Sequence, residues 1–242
     1  LFRLPENPVY REGISLFMGK KKLRRIFALY TAYLFVLFLM LWPDDAPVRY
    51  LAAGIPPSVF SGFSVALLIG FALLNGHIAS GYPDESYPDD EDWLFYTPIS
   101  KTQVISGRVT ASIFHFLMLF IISFPFVFAA GLVSGIFSGM YIRVLTLVFC
   151  TGFTFRMGGL LLRFVFFRNR ILGIILMYLF FIWSFLLSYN VAPEINPLNI
   201  MLRILDEEII GWGRIAVQGS MGIVFICVYW MMITVREKQN NE

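Results

Sequence analysis

Charge is scarce in this chain. Of its 242 residues 14% are charged and 58% are apolar, whereas soluble domains carry about 25% charged residues. That shortage excludes an ordinary water-soluble domain: too few polar side chains exist to cover a folded surface, so lipid is the solvent for much of the chain. Acids are missing where they would matter most. None of the long apolar runs contains Asp or Glu. Proton- and sodium-coupled transport draws on such groups near mid-membrane, so their absence weighs against ion coupling and against small cations as cargo. Cysteine is limited to Cys150 and Cys227, both inside apolar runs. This excludes a disulfide framework or a cysteine-based metal centre, and both read as inert small apolar residues. No phosphate loop is present. The nearest string, Gly13 to Gly19-Lys20-Lys21, has the wrong spacing and lacks the terminal hydroxyl, so the chain is not expected to hydrolyse nucleotide itself. Histidine is limited to His77 and His115, with no His-Glu-x-x-His or paired-aspartate pattern around them. No internal repeat is evident, which removes the usual mark of an inverted-repeat transporter. Residues 1–25 lack the apolar segment of a secretory signal. Because the sequence opens on Leu1 and not Met, a longer or processed native N-terminus is expected.

Long apolar runs are what the chain does have. About 20 apolar residues in helical form cross a hydrocarbon core of about 30 Å. Six runs qualify or nearly qualify: Ile26–Trp42, Ser58–Ile78, Val109–Leu132, Tyr141–Phe167, Ile171–Val191 and Ile215–Val235. They are continuous, not alternating, and too long for barrel strands, so helices are predicted. The fold class expected is all-α: a polytopic membrane protein with six transmembrane helices in one domain spanning residues 1–242. Placement of Lys and Arg sets the orientation. With the N-terminus inside, the inner segments hold Arg3, Arg11, Lys20, Lys21, Lys22, Arg24, Arg25, Lys101, Arg108, Arg163, Arg168, Arg170, Arg236 and Lys238. The outer ones hold Arg49, Arg143, Arg203 and Arg214. Both termini are therefore placed in the cytoplasm.

Three polar segments punctuate the runs. Within residues 1–25, Val9, Tyr10, Ile14, Phe17 and Met18 share one broad helical face, which predicts an interfacial helix in the headgroup plane. The basic cluster Lys20–Arg25 then meets anionic headgroups or simply fixes topology. Residues 81–108 form a polar loop between the second and third spans. Its acids Asp89, Asp90, Glu91 and Asp92 either meet a basic partner or keep the loop solvated. Ser100, following Pro98, is a reasonable helix start, and Thr97–Gln103 is predicted as a short helix of one or two turns. Residues 192–213 contain apolar positions 198, 201, 202, 205 and 209 at helical spacing. They predict a short amphipathic helix before the sixth span, interfacial or re-entrant on the outer side.

Few residues inside the apolar runs can carry chemistry. Arg156 lies about 16 Å from the inner end of its run by helical rise. At that depth a charge costs at least about 2.5 kcal/mol unless paired or wetted. Arg163 follows two turns later near the same face. Arg156 and Arg163 are thus candidates for a subunit interface or central cavity. The alternative is that Arg156 bonds backbone carbonyls and braces the bundle. His77, near Asn75 at the inner end of span two, and His115, in the inner half of span three, could approach each other. With Arg156 they define an alternative reading as an intramembrane enzyme. The pair Glu207-Glu208 followed by Arg214 is weakly like glutamate-type membrane proteases, but the arginine stands too far along the chain. Pro125, which removes one ladder hydrogen bond, should kink span three.

Three features together resemble a known family: two strings, and a six-span layout with a polar helix before the last span. Asn7-Pro8-Val9-Tyr10-Arg11-Glu12 precedes the first span, and Trp93-Leu94-Phe95-Tyr96-Thr97-Pro98-Ile99-Ser100-Lys101 followed by Gly107-Arg108 lies between the second and third. With the six-run layout, the chain resembles the permease subunit of type-2, mostly exporting, ABC transporters over nearly its whole length. The Thr-Pro-Ile-Ser string is the most specific part. The resemblance implies an elbow helix opened by Asn7, Pro8, Arg11 and Glu12. It also implies a coupling helix at Thr97, Pro98, Ile99, Ser100, Lys101, Thr102 and Gln103 that docks in a cleft of a separate ATPase. The chain would then be no enzyme itself and bind no cofactor, with ATP and Mg on the partner. Its partners would be ABC ATPase subunits, a second permease copy or paralogue and the lipid membrane, with no nucleic acid, in a bacterial cytoplasmic (inner) membrane. The linker Gly81–Pro88 is longer and richer in proline than the family usually shows. A third reading is a membrane scaffold that transports nothing.

Overall fold

The computed structural model describes residues 9–10, 21–42, 58–81, 101–136, 139–166, 169–206 and 210–240. Among these residues the chain is all-helical, with seven helices and no strand: α1 (Lys21–Met40), α2 (Ser58–Gly81), α3 (Lys101–Val133), α4 (Gly139–Val165), α5 (residues 170–191), α6 (Pro197–Leu205) and α7 (Trp212–Asn240). Five of them, α2, α3, α4, α5 and α7, are long and apolar enough to cross a membrane, and the chain is multi-pass.

The observed bounds extend the predicted runs at polar ends. α3 begins at Lys101, eight residues before the predicted third span, and runs through Pro125 to Val133 without a break. Lys101, Thr102 and Gln103 are therefore the first turn of α3, not the end of a separate short helix. The apolar pattern marks only what lipid can solvate, whereas the helix ladder continues wherever backbone bonds can be made.

Side-chain pairs fix the helix directions. Phe60 faces Tyr141, Phe71 meets Gly152, and Gly76 and Ala79 meet Gly159, so α2 and α4 run parallel. Gly219 lies against Cys150, and Tyr229 against Phe164, so α7 runs with them. α3 runs opposite: its Ser112 and His115 meet Arg156, and its Phe124 meets Tyr141. α1 is antiparallel to α2, through Tyr33–Ala66 and Leu41–Gly62, and α5 is antiparallel to α4, through Phe185–Phe155 and Gly173–Leu162. Lys21, Gly81, Lys101, Val165, Arg170 and Asn240 thus gather at one end, called the loop end below. Residues 192–206 and 210–212 lie at the other.

The bundle is organised around α4, which packs most extensively on α2 and α7. Two phenylalanine clusters fill its flanks: Phe71, Phe116, Phe120, Phe149 and Phe153 on one side, and Phe155, Phe180, Phe181 and Phe185 on the other. Edge-to-face and offset aromatic packing of this kind adds about 0.5–1.5 kcal/mol per pair beyond burial. Large apolar side chains on α1, α3, α5 and α7 face outward, among them Leu29, Ile121, Leu179 and Met231, as lipid contact demands. α1 is tied in by polar bonds as well. The buried Tyr30 hydroxyl bonds Ser123 Oγ at 2.6 Å, while Ser123 donates to the Leu119 carbonyl at 3.0 Å; Tyr30 is therefore the donor of the first bond. Tyr33 donates to the Ala66 carbonyl of α2 at 3.1 Å.

Candidate functional site

At the loop end two distant parts of the chain meet. Val9 is 8% exposed, and it sits over Gly107 in the second turn of α3. A Cβ added at Gly107 would lie 2.8 Å from Val9 Cβ and 2.9 Å from the Tyr10 backbone nitrogen. Only glycine lets the N-terminal segment come this close to α3. The contact stands one turn beyond Lys101, Thr102 and Gln103, of which Gln103 is exposed. Thr97, Pro98, Ile99 and Ser100 lie outside the described residues, as do Asn7, Pro8, Arg11 and Glu12 of the predicted elbow.

The second polar site lies inside the bundle, where α4 crosses α3. Arg156 is 2% exposed. Its Nε donates to Ser112 Oγ at 2.7 Å, and its Nη2 donates to His115 Nδ1 at 2.8 Å. Ser112 and His115 stand three residues apart, which puts both on one face of α3. Phe27 of α1 closes over the imidazole edge-on, with ring centroids 5.1 Å apart. Arg156 Nη1 has no hydrogen-bond partner. The guanidinium is enclosed by the chain's own helices and held by the side chains of Ser112 and His115, not by backbone carbonyls. Arg163 is half-buried and not part of this hydrogen-bonded set.

The histidines do not form a pair with one another. His77 is exposed, and its Nδ1 bonds the Tyr178 hydroxyl of α5 at 3.1 Å, while His115 belongs to the Arg156 cluster. Different neighbours claim them because they face different helices: α2 turns His77 toward α5, and α3 turns His115 toward α4. Among the described residues no group of three or more metal-ligating side chains converges.

The far end is closed by an asparagine-centred knot that sequence periodicity did not reveal. Trp183–Leu187 forms a π-helical turn in α5. Such a turn widens the ladder and tips carbonyls out of line. Fully buried Asn196 fills the gap: its Nδ2 donates to the Ser184 carbonyl at 3.0 Å, the Phe185 carbonyl at 3.1 Å and Ser188 Oγ at 2.8 Å. Its Oδ1 accepts from Asn199 N at 2.9 Å, capping α6, with Pro197 at the first helical position. Gln218 of α7 reaches the Ile195 carbonyl, and Thr154 of α4 donates to the Gln218 carbonyl. α6 is amphipathic as expected, but its inward face is Pro197, Ile200, Met201 and Ile204. The predicted stripe 198, 201, 202 and 205 is turned by about one residue, leaving Leu202 exposed. The Asn196 cap sets this rotation, and position 209 lies outside the described residues.

Glu194 bridges Arg214 at 2.6 Å and Arg203 at 3.5 Å. Arg214 thus pairs with Glu194; Glu207 and Glu208 lie outside the described residues. The acid is exposed and both arginines are half-buried at the surface, so Glu194→Gln should destabilise by less than about 1 kcal/mol, measured by thermal unfolding in uncharged detergent. No protein-family model, curated protein or solved structure matches this chain. The signal that would have found the Arg156 cluster was present in the sequence as Ser112 and His115 at helical spacing; the Asn196 knot left none beyond Asn-Pro as a helix start.

Proposed function

We propose that the chain is the membrane-spanning permease subunit of an ATP-driven transporter of the type-2 ABC kind, with ATP hydrolysed by a separate subunit. The observation that carries this is the meeting of Val9 with Gly107. Val9 and Tyr10 belong to one of the strings on which the family resemblance rests and Gly107 to the other; far apart in sequence, these residues are neighbours at one end of the bundle. That end also gathers Lys21, Lys22, Arg24, Arg25, Lys101, Arg163, Arg170 and Arg236, which supports a cytoplasmic assignment and a six-span topology with α1 as the first span. Because α3 is one helix from Lys101 to Val133, pressure on its first turn passes to the membrane-spanning part with no loop between them. Helices transmit displacement along their axis without the slack of a loop.

The test uses the full-length tagged chain in its native membrane. A phosphate-loop ATPase is expected to co-purify with it. Replacing residues 97–103 by a Gly-Ser segment should leave membrane insertion unchanged, cut ATPase recovery at least about tenfold and abolish ATP-stimulated transport. Undiminished ATPase recovery by that variant, or labelling of a cysteine placed at residue 97 by an impermeant reagent from outside, overturns the assignment.

A further inference from the structure

We propose that Arg156 is an intramembrane binding site for an anionic group, closed in the present conformation and opened when α3 moves away from α4. The inference starts from unbalanced charge. Arginine stays protonated in proteins, and Arg156 is buried among spans that hold no Asp or Glu at all: residues 21–40, 58–81, 101–133, 139–165, 170–191 and 212–235 contain neither. The two groups that Arg156 does hold are neutral. Ser112 is a hydroxyl. His115 accepts at Nδ1 from a guanidinium that can only donate, so its proton sits on Nε2 and the ring carries no charge. Nη1 is left with no partner.

A brace alone would not need this residue. Two hydrogen bonds to Ser112 and His115 ask for a neutral donor, which glutamine or asparagine supplies without placing a cation in a low-dielectric core. A permanent cation with spare donors is what recognition of a carboxylate or phosphate requires, since guanidinium presents several N–H groups in a fixed planar fork. The location suits a gated site. α3 packs on α4 far less than α2 and α7 do, and the cluster is a principal polar tie across that crossing. Displacing α3 carries Ser112 and His115 away together, because they ride on one helical face. The freed Nε and Nη2 then join Nη1 as donors to the incoming anion, and the neutral partners return when it leaves.

The same chemistry has two sources, a solute anion from water or the phosphate of an anionic lipid. The experiment separates them with the full-length protein in uncharged detergent. One arm compares thermal unfolding in sodium phosphate and sodium chloride at equal ionic strength. The other adds phosphatidylglycerol or phosphatidylcholine. Wild type is expected to rise by about 5–10 °C at a hundredfold excess over the dissociation constant. The response should vanish in Arg156→Gln and persist in Arg163→Gln, which controls for general attraction to the basic loop end. Stabilisation by inorganic phosphate identifies a solute site, and stabilisation by phosphatidylglycerol alone a lipid site. If Arg156→Gln does not fold, Arg156→Lys keeps the charge and must retain the shift. Equal responses in wild type and Arg156→Gln, no response in wild type, or a folded Arg156→Lys that responds to neither anion overturns the proposal. No ATPase enters either arm, so the outcome is independent of the transport assignment.

Discussion

Gly159→Leu is expected to abolish the folded bundle. A Cβ at this position would stand 2.7 Å from the Gly76 carbonyl oxygen, 2.7 Å from Ala79 Cβ and 3.1 Å from the Ser80 nitrogen. Two of those three atoms are backbone, so no rotamer change relieves the clash; α2 and α4 must separate. Among the described helices these two form the most extensive contact, and separating them exposes the phenylalanine core around Phe71 and Phe116. Membrane helices associate through close packing because lipid tails supply no hydrophobic drive between them, so lost approach is not regained elsewhere. Gly159→Ala should cost about 1–3 kcal/mol and Gly159→Leu more, read by denaturant titration in mixed micelles. Gly213 is the control. Nothing lies within 4 Å of a Cβ there, and Gly213→Ala should fall within about 0.5 kcal/mol of wild type. Equal stability of Gly159→Leu and wild type would refute the α2–α4 contact.

Asn196→Leu should be the next most damaging change. The substitution keeps the number and branching of side-chain heavy atoms but removes three donated bonds and the α6 cap. Leaving a buried carbonyl unsatisfied costs about 1–3 kcal/mol, and losing an N-cap costs about 1 kcal/mol. The expected sum is about 2–4 kcal/mol, with faster amide exchange in α6 and around the π-helical turn. Asn196→Asp separates the two contributions. It preserves the cap acceptor at Asn199 N but turns an oxygen toward the Ser184 and Phe185 carbonyls, so near neutral pH it should be no milder than leucine. A mild effect of aspartate would mean that the cap, and not the amide donors, holds the knot together.

Helix existence was legible in the chain because it rests on a one-dimensional quantity. Where about 20 residues must sit in hydrocarbon, only helices satisfy every backbone group within the segment. The run Tyr141–Phe167 and the helix Gly139–Val165 differ by two residues at each end. The discrepancy at α3 has the same origin read in reverse: apart from Val104 and Ile105, residues 101–108 are not apolar, so hydropathy passed over helical turns that lie beyond the apolar stretch. The outcome at α6 differed for another reason. Its apolar residues cover two adjacent stripes, and periodicity cannot choose between them; the buried amide of Asn196 and the π-helical turn it bridges chose the one containing Ile200 and Ile204.

The amino-acid order by itself determined an all-helical, multi-pass chain with its basic residues concentrated in alternate segments between the apolar runs, and it marked Arg156 as a charge out of place. Each follows from local composition and from the cost of burying polar groups in lipid. Only the tertiary structure decided that Arg156 would rest on Ser112 and His115, that His77 would turn to Tyr178 instead, and that Val9 would lie over Gly107. Those partners are distant along the chain, and which of them meet depends on how far each helix is rotated and how closely glycines let it approach its neighbour. That is a property of packed surfaces in three dimensions, which no periodicity along one strand of sequence encodes.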